Sequence, residues 1–387
     1  MISGNSSGHR LNNKAGEVSL VDSSTNEWTV THDFAFAFGG AELVTSVLSR
    51  DLLPGAPVVT VGGSRKVLEQ ISGSRNKSRR VVGFVSGNTY RYLLPLYPFI
   101  VRAFPNVRGN VLASSYAFAH GIRCTGSKVV YCHSPLRQAW SGSELYSGAG
   151  AFSERLAVRI FGPYLRWFDR RFAKDVDVFI ATSRAVKERI ERYYDVSNVV
   201  LIPPPLKLPE LSDPIPHHAR GESFLWVGRV IEPYKRLGLV LDVMRARPDL
   251  HLDVVGDGRD LKMLRADAPT NVTFLGWQGK ASLSFLYANA AALLFGSEDD
   301  FGIVPVEAMA CGTPVIAYGA GGALDTVVHG QSGLLFHSQT PESMLGAIKE
   351  FESMEWNSES IAKNTRERFS KESFLERMRV ITNGTFS

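Results

Sequence analysis

At 387 residues the chain exceeds what one ordinary hydrophobic core organises, so two domains are expected. Its composition, 44% hydrophobic and 21% charged, is that of a globular protein, and no apolar run reaches the roughly 20 residues that span a bilayer. Basic residues (43) outnumber acidic ones (38) for a net charge of +5, concentrated between Arg65 and Arg108, where nine Lys/Arg accompany a single acid, Glu69. With no zinc-finger, RNP or helix-turn-helix pattern, this excess argues against nucleic acid and for an anionic membrane surface or a phosphate-bearing substrate.

Residues 1–26 are polar and lack the apolar segment of a signal peptide, so they are expected to form a disordered tail. Trp28 to Phe34 reads as a strand, Phe38-Gly39-Gly40-Ala41 as a glycine turn and Glu42 to Leu53 as a helix. Further strands are expected at Val58–Val61, Val81–Val85, Val111–Ala113, Lys128–Cys132 and Asp177–Thr182, with Ser183 capping the next helix. The prolines from Pro203 to Pro216 continue neither helix nor central strand and mark a linker. A second series then begins: strands at Phe224–Gly228, Leu250–Gly256, Val272–Leu275, Ala291–Phe295 and Pro314–Tyr318, alternating with helices that include Arg236–Arg247, Lys280–Asn289 and one starting at Glu307. Alternating strands and helices predict an α/β protein of two Rossmann-like domains, whose parallel sheets face each other across a cleft. The divisions are 27–203, a linker at 204–216, 217–368, and a final helix within 369–387 that returns to the first domain.

The segment Ser297 to Gly312 sets two carboxylates, Asp299 and Glu307, on either side of a glycine turn. Turn amides and a helix N-terminus suit a phosphate, and carboxylates accept hydrogen bonds from sugar hydroxyls, so a nucleotide sugar fits. Gly228-Arg229 ends a strand and Lys235 follows on the next loop. Two cations there would neutralise a diphosphate, or would simply be a solvated strand end. His133, after the strand Lys128–Cys132, is either a cleft residue or a histidine tied to backbone. Gly39 and Gly40, the loop from Ala317 to Asp325, and Val255-Gly256-Asp257-Gly258 each fit close approach to a phosphate or an ordinary turn. The last of these lacks the full nicotinamide fingerprint and sits in mid-domain. Phe152 to Lys174 interleaves arginines with aromatics, as does the apolar stretch Tyr90–Phe104, flanked by Arg91 and Arg102. The first pattern fits an amphipathic helix packed on its sheet, and together the two stretches lead us to expect contact with an anionic membrane. The cysteines Cys124, Cys132 and Cys311 have no metal-ligand spacing and are expected to be reduced thiols of a cytoplasmic protein.

Together the stretches "GGAE", "YCHSPLRQAW", "VGRVIEPYKRLGLVLDV", "VVGDG", "FLGWQ" and "EDDFGIVPVEAMACGTPVIAYGAGGALDTVVHGQSGLLF" resemble the retaining glycosyltransferases of family 4, which have the GT-B fold. The wording around His133 and Lys235 is most similar to bacterial mannosyltransferases that build polysaccharides on polyprenyl-diphosphate carriers. The resemblance implies that Arg229 and Lys235 grip the donor diphosphate and that Glu307 holds ribose hydroxyls. Asp299 would contact the donor sugar, where the family has the first Glu of an E-x7-E motif, with Glu298 or Asp300 as alternatives. It also implies that the backbone of Phe301, Gly302 and Ile303 faces sugar and phosphate. His133 would touch the transferred sugar, Gly39 and Gly40 line the first-domain side, and Trp277 lies near the base. Asp325 stands where relatives usually carry Glu. The implied reaction is metal- and cofactor-independent front-face transfer, with GDP-mannose as the favoured donor. The acceptor would be a glycan or a polyprenyl-diphosphate-linked oligosaccharide at the inner face of the cell membrane. A UDP-sugar donor, another nucleotide-sugar reaction such as epimerisation, and a non-enzymatic nucleotide-sugar-binding scaffold remain the alternatives.

Overall fold

The computed structural model describes residues 28–73, 77–80, 93, 95–140, 152–206 and 214–384. The tail expected over residues 1–26, the strand expected at Val81–Val85 and residues 207–213 of the expected linker lie outside these. Two parallel sheets organise the chain. The first contains β1 (Trp28–Ala35), β2 (Val58–Gly63), β3 (Ser78–Arg80), β4 (Asn110–Ser115), β5 (Lys128–Cys132), β6 (Val178–Ala181) and β7 (Val199–Leu201), in the order β3-β2-β1-β4-β5-β6-β7. The second contains β8 (Phe224–Val227), β9 (Leu252–Val255), β10 (Val272–Gly276), β11 (Leu293–Phe295), β12 (Val315–Tyr318) and β13 (Gly333–Phe336), in the order β10-β9-β8-β11-β12-β13. The strands are short and rich in Val, Ile and Leu. Central ones such as β2 and β4 are buried along their whole length, as a sheet covered by helices on both faces requires.

Both sheets reverse their winding once. The chain moves from β1 outward to β3 and then returns to β4 on the other side of β1. Likewise it moves from β8 to β10 and returns to β11 beside β8. Loops at such reversals diverge from the carboxyl ends of neighbouring strands and leave a crevice. The glycine turn Gly39-Gly40 follows β1, the Arg229–Lys235 loop follows β8, and the acidic loop Ser297–Gly302 follows β11. The expected ligand-binding segments are therefore those that topology sends to the crevices.

Two helices that pack on the first sheet differ from expectation. The helix expected over Glu42–Leu53 is α-helical over Gly40–Val47 and continues as a wider π-type turn through Leu52. The final helix is not continuous from Phe369: one helix ends there, and Ser370, whose hydroxyl accepts from the Ser373 amide at 3.0 Å, starts another at Lys371 that runs to Asn383. This last helix packs Phe374, Leu375 and Met378 among Val44, Leu48, Leu112 and Tyr131 of the first domain, with the Phe374 and Tyr131 rings 5.7 Å apart. Met378 is fully buried there. Met378→Ala should lower unfolding stability by about 2–5 kcal/mol in urea denaturation, the usual cost of emptying such a site.

Candidate functional site

The loop after β8 is held from below. The Glu232 carboxylate accepts the amide of Leu237 at 2.7 Å and caps the helix Leu237–Ala246, fixing the path of residues 232–236. Along that path Lys235 extends to Asp299 on the loop after β11, with Nζ 2.6 Å from Oδ2 and both side chains largely buried. The other oxygen, Oδ1 of Asp299, is buried and has no hydrogen-bond partner among the described residues. It is an acceptor available to a hydroxyl donor. Arg229 is exposed at the start of the same loop as Lys235.

The glycine loops settle into supporting roles. A Cβ on Gly256 would fall 1.8 Å from the Gly228 carbonyl oxygen, and one on Gly258 2.2 Å from that of Val230. These glycines let the strand-end backbone bearing Arg229 lie flat against its neighbour. In the loop from Ala317 to Asp325, the amide of Gly322 donates to the Asp299 carbonyl at 2.8 Å, and a Cβ on Gly322 would collide with the Phe301 backbone. That loop braces the acidic segment.

The helix expected to start at Glu307 starts four residues earlier, spanning Ile303–Ala310 behind Gly302, whose φ of +83° is the left-handed conformation that favours glycine. Pro305 is accommodated because a first-turn residue donates no intrahelical hydrogen bond. No side chain caps this helix, so the Ile303 and Val304 amides face the crevice with the helix's partial positive charge behind them. Glu307 lies one turn along, on the same face as Ile303. Its Oε2 accepts the Tyr287 hydroxyl at 3.0 Å, and burial raises its pKa above the ordinary carboxylate range. The Phe301 side chain is buried, its ring 5.7 Å from that of Phe369, so only its backbone belongs to the crevice.

From the first domain, the glycine turn after β1 meets this helix directly: a Cβ on Gly40 would lie 2.7 Å from Cδ1 of Ile303. The Gly39 amide donates to Glu42 Oε2 at 2.9 Å, and Glu42 Oε1 lies 3.4 Å from His32 Nε2, so a buried pair orients the turn. Burial pushes Glu42 up, yet its interaction with His32 outweighs that and its pKa is lowered. His133 is partly exposed after β5, with Nε2 2.8 Å from the Ser114 hydroxyl. Burial, then the proximity of His32, pushes its pKa down to about 3, against the opposing pull of Glu42 and Asp300. At neutral pH it is therefore an uncharged hydrogen-bonding group rather than a proton donor of the imidazolium type.

Three more arginines cross between the domains. Asp300 receives Arg137 and Arg189, one on each carboxylate oxygen, and Arg189 also reaches Glu298 at 3.0 Å. Arg184, at the start of the helix Arg184–Tyr194, pairs with Asp325 and gives its backbone amide to the same carboxylate at 2.7 Å. Among the consecutive acids 298–300, Glu298 and Asp300 are thus engaged by the opposite domain, and Asp299 is the one with a buried oxygen that no described residue meets. Trp277 stands apart from this cluster, 79% exposed at the end of the edge strand β10. Sequence reasoning assigned no role to Arg137, Arg189, Tyr234 or Tyr287. Arg137 and Tyr234 lay inside stretches already singled out, whereas Arg189 sits in a helix of ordinary surface charge pattern. Among the described residues no cluster of three His, Cys, Asp or Glu could hold a metal ion.

Residues 210–371 match the family model described as glycosyl transferases group 1, and residues 38–208 match that of glycosyltransferase family 4. A D-inositol 3-phosphate glycosyltransferase of Segniliparus rotundus is 31% identical over 190 residues, covering 43% of this chain and 42% of that protein. A GDP-mannose-dependent alpha-mannosyltransferase of Mycolicibacterium smegmatis is 43% identical over 96 residues, covering 24% of this chain and 25% of that protein. The matched region thus spans less than half the length of either relative. Among solved structures, Anabaena HepE in complex with UDP superposes with a TM-score of 0.64 at 16% identity, covering 92% of this chain and all of the other.

The histidine gives a pH test. With a folded-state pKa of about 3 against 6.5 in the unfolded chain, His133 takes up a proton on unfolding between those values, so its contribution is present above pH 6.5 and lost as pH falls toward 3. Thermal melts should show that His133→Asn, which can still accept from Ser114, flattens part of the loss in melting temperature between pH 6.5 and about pH 4.

Proposed function

Since the chain belongs to the family 4 glycosyltransferases, whose fold is GT-B, we propose that it transfers a hexose from a nucleoside-diphosphate sugar with retention of configuration, without a metal. One observation carries this reading: the Lys235–Asp299 pair, with one buried carboxylate oxygen left over, lies on strand-end loops beside an uncapped helix N-terminus and against the first-domain glycine turn. Lys235 and Arg229 take the diphosphate, together with the amides of Ile303 and Val304. Glu307, oriented by Tyr287, accepts the ribose hydroxyls. Asp299 accepts a hydroxyl of the sugar, Trp277 offers an exposed indole face to the base, and neutral His133 hydrogen-bonds the sugar from the other side.

In the transfer the bond between anomeric carbon and phosphate oxygen breaks, and its electron pair stays on the phosphate. The acceptor hydroxyl adds to the carbon from the same face, and its proton passes to the departing phosphate oxygen. The protein's contribution is positioning and the cationic stabilisation of charge that grows on the diphosphate. Lys235→Ala should lower kcat/KM by about a hundredfold or more in a nucleoside-diphosphate release assay, the scale for losing one such group. Turnover near wild type would reject the assigned phosphate site, and tight binding of donor without any transfer would favour a scaffold.

GDP-mannose is the favoured donor, supported by the mannosyltransferase relative. The superposition on a UDP complex keeps a UDP-sugar as the second reading. In thermal-shift screening GDP should stabilise the protein more than UDP or ADP at equal concentration, reaching about 2.7 kcal/mol over the ligand-free protein at a hundredfold excess over its Kd.

The acceptor is proposed to be lipid-linked and met at the cytoplasmic membrane face. No helix among the described residues is long and apolar enough to cross a membrane. A surface for lying on one is formed by Phe99 and Trp167, 57% and 61% exposed, which both pack against Phe168 with ring centroids 5.1 and 4.7 Å away. Arg159 and Arg170 are exposed on the helix Phe152–Ala173 that bears Trp167, and Lys174 is exposed just after it. Phe161 is also exposed, at 40%, whereas Tyr164, Phe168 and Phe172 of that helix pack inward as an amphipathic helix should. Co-sedimentation with vesicles containing anionic lipid should be strong at low salt and should fall on Phe99→Ala with Trp167→Ala. Equal binding to neutral vesicles by both forms would refute the assignment.

A further inference from the structure

The interdomain arginines do more than join two surfaces. Arg137 lies in the helix Arg137–Trp140 that follows β5, in the first domain. Its Nε lies 3.2 Å from Asp300 Oδ2, and its Nη1 donates to the Tyr234 hydroxyl at 3.0 Å. Tyr234 precedes Lys235, and its ring lies 4.8 Å from the Lys235 ammonium and 5.5 Å from the Arg137 guanidinium. Lys235 in turn holds Asp299. An unbroken path of charge and hydrogen bonds therefore runs from Arg189 through Asp300, Arg137, Tyr234 and Lys235 to Asp299, alternating between domains at its first three steps.

Burial gives these contacts weight. The side chains of Asp300 and Asp299 are 14% and 16% exposed, whereas the pair Arg65–Glu69 on the outer surface is 90% and 62% exposed and is screened by solvent. Burial opposes the Arg137 charge, but Asp300 and then Tyr234 outweigh it and hold the guanidinium above its ordinary pKa. Burial, followed by the charge of Asp299, pushes the Tyr234 hydroxyl up to about 12, so it remains a neutral group that can accept from Arg137. The planar fork presents separate donors to the carboxylate and the phenol in fixed directions, which the compact ammonium of a lysine would not reproduce.

We infer that Arg137 is a positioning residue for transfer: by gripping Asp300 and Tyr234 across the cleft it makes domain closure and the setting of the Lys235–Asp299 pair a single event. It acts through Tyr234 and Lys235 and does not itself touch the donor. The inference rests on the donor-site reading given above.

The test uses the full chain and three readouts: X-ray scattering, calorimetric titration with GDP and with UDP, and steady-state kinetics. Arg137→Ala and Asp300→Asn should each enlarge the radius of gyration of the ligand-free protein. They should lower kcat by about tenfold to a hundredfold, the scale of a misplaced reacting group, while the Kd of the better-binding nucleotide changes by less than about threefold. Arg137→Lys should recover less than half of the lost kcat. Tyr234→Phe, which keeps the ring and removes the hydroxyl, should lower kcat with the radius unchanged. Arg137→Ala with kcat within twofold of wild type would overturn the inference, as would an unchanged radius in both single variants. A rise confined to the acceptor KM would instead assign the guanidinium to the acceptor and equally overturn it. If Lys235→Ala leaves turnover intact while Arg137→Ala still opens the molecule, the donor-site reading fails and the clamp between the domains survives.

Discussion

The contact between Lys235 and Asp299 is the constraint around which the crevice is built. An ammonium and a carboxylate 2.6 Å apart with little exposure are costly to desolvate unless geometry and neighbours compensate. The compensation is visible on both sides. Glu232 caps the helix after the Lys235 loop, and Gly322 fixes the carbonyl of Asp299. Neighbouring strands β8 and β11 deliver the two loops from adjacent carboxyl ends, which no other pair of strands in that sheet does across a winding reversal. The ion pair is thus a product of topology first and of side-chain chemistry second.

Most of the architecture could be read from the amino acids because its signals are local. Short Val- and Ile-rich runs bounded by glycine and proline mark strands whether or not their neighbours are known; they placed Lys235 on the loop after a strand end, while Asp299 and Glu307 were singled out by their spacing around a glycine turn and by the family resemblance. The start of the helix at Ile303 was misread by one turn, since Pro305 looks like a barrier to a helix that in fact tolerates it in the first turn. The resemblance pointed to Asp299 among Glu298, Asp299 and Asp300, but the residues alone left the other two open. Three adjacent carboxylates are chemically equivalent in a string of letters, and they are distinguished only by arginines 163 and 111 positions or so away in sequence. The glycine loops were ambiguous for a related reason. A glycine needed for a ligand and one needed for a neighbouring backbone look alike until the neighbour is seen, and at Gly256, Gly258 and Gly322 the neighbour is the protein itself.

To the donor crevice the first domain contributes mainly shape and hydrogen-bonding groups. Its glycine turn presses against Ile303, and the buried His32, Thr45 and Ser114 with the partly exposed His133 form a linked set beneath the turn. Charge is supplied by the second domain, where Arg229, Lys235, Asp299 and Glu307 all reside. A division of this kind lets one half hold an anionic group while the other selects what approaches it, and the arginines that bridge to Glu298, Asp300 and Asp325 set how near the halves come.

The helix Lys371–Asn383 has a consequence for biogenesis. It supplies Phe374, Leu375 and Met378 to cover a sheet whose strands lie in the opening half of the chain. During translation that sheet must therefore wait, one apolar flank bare, until the second domain has left the ribosome. A chain cut short before this helix would leave Val44, Leu48 and Leu112 without that cover, an apolar face that favours aggregation over a working half.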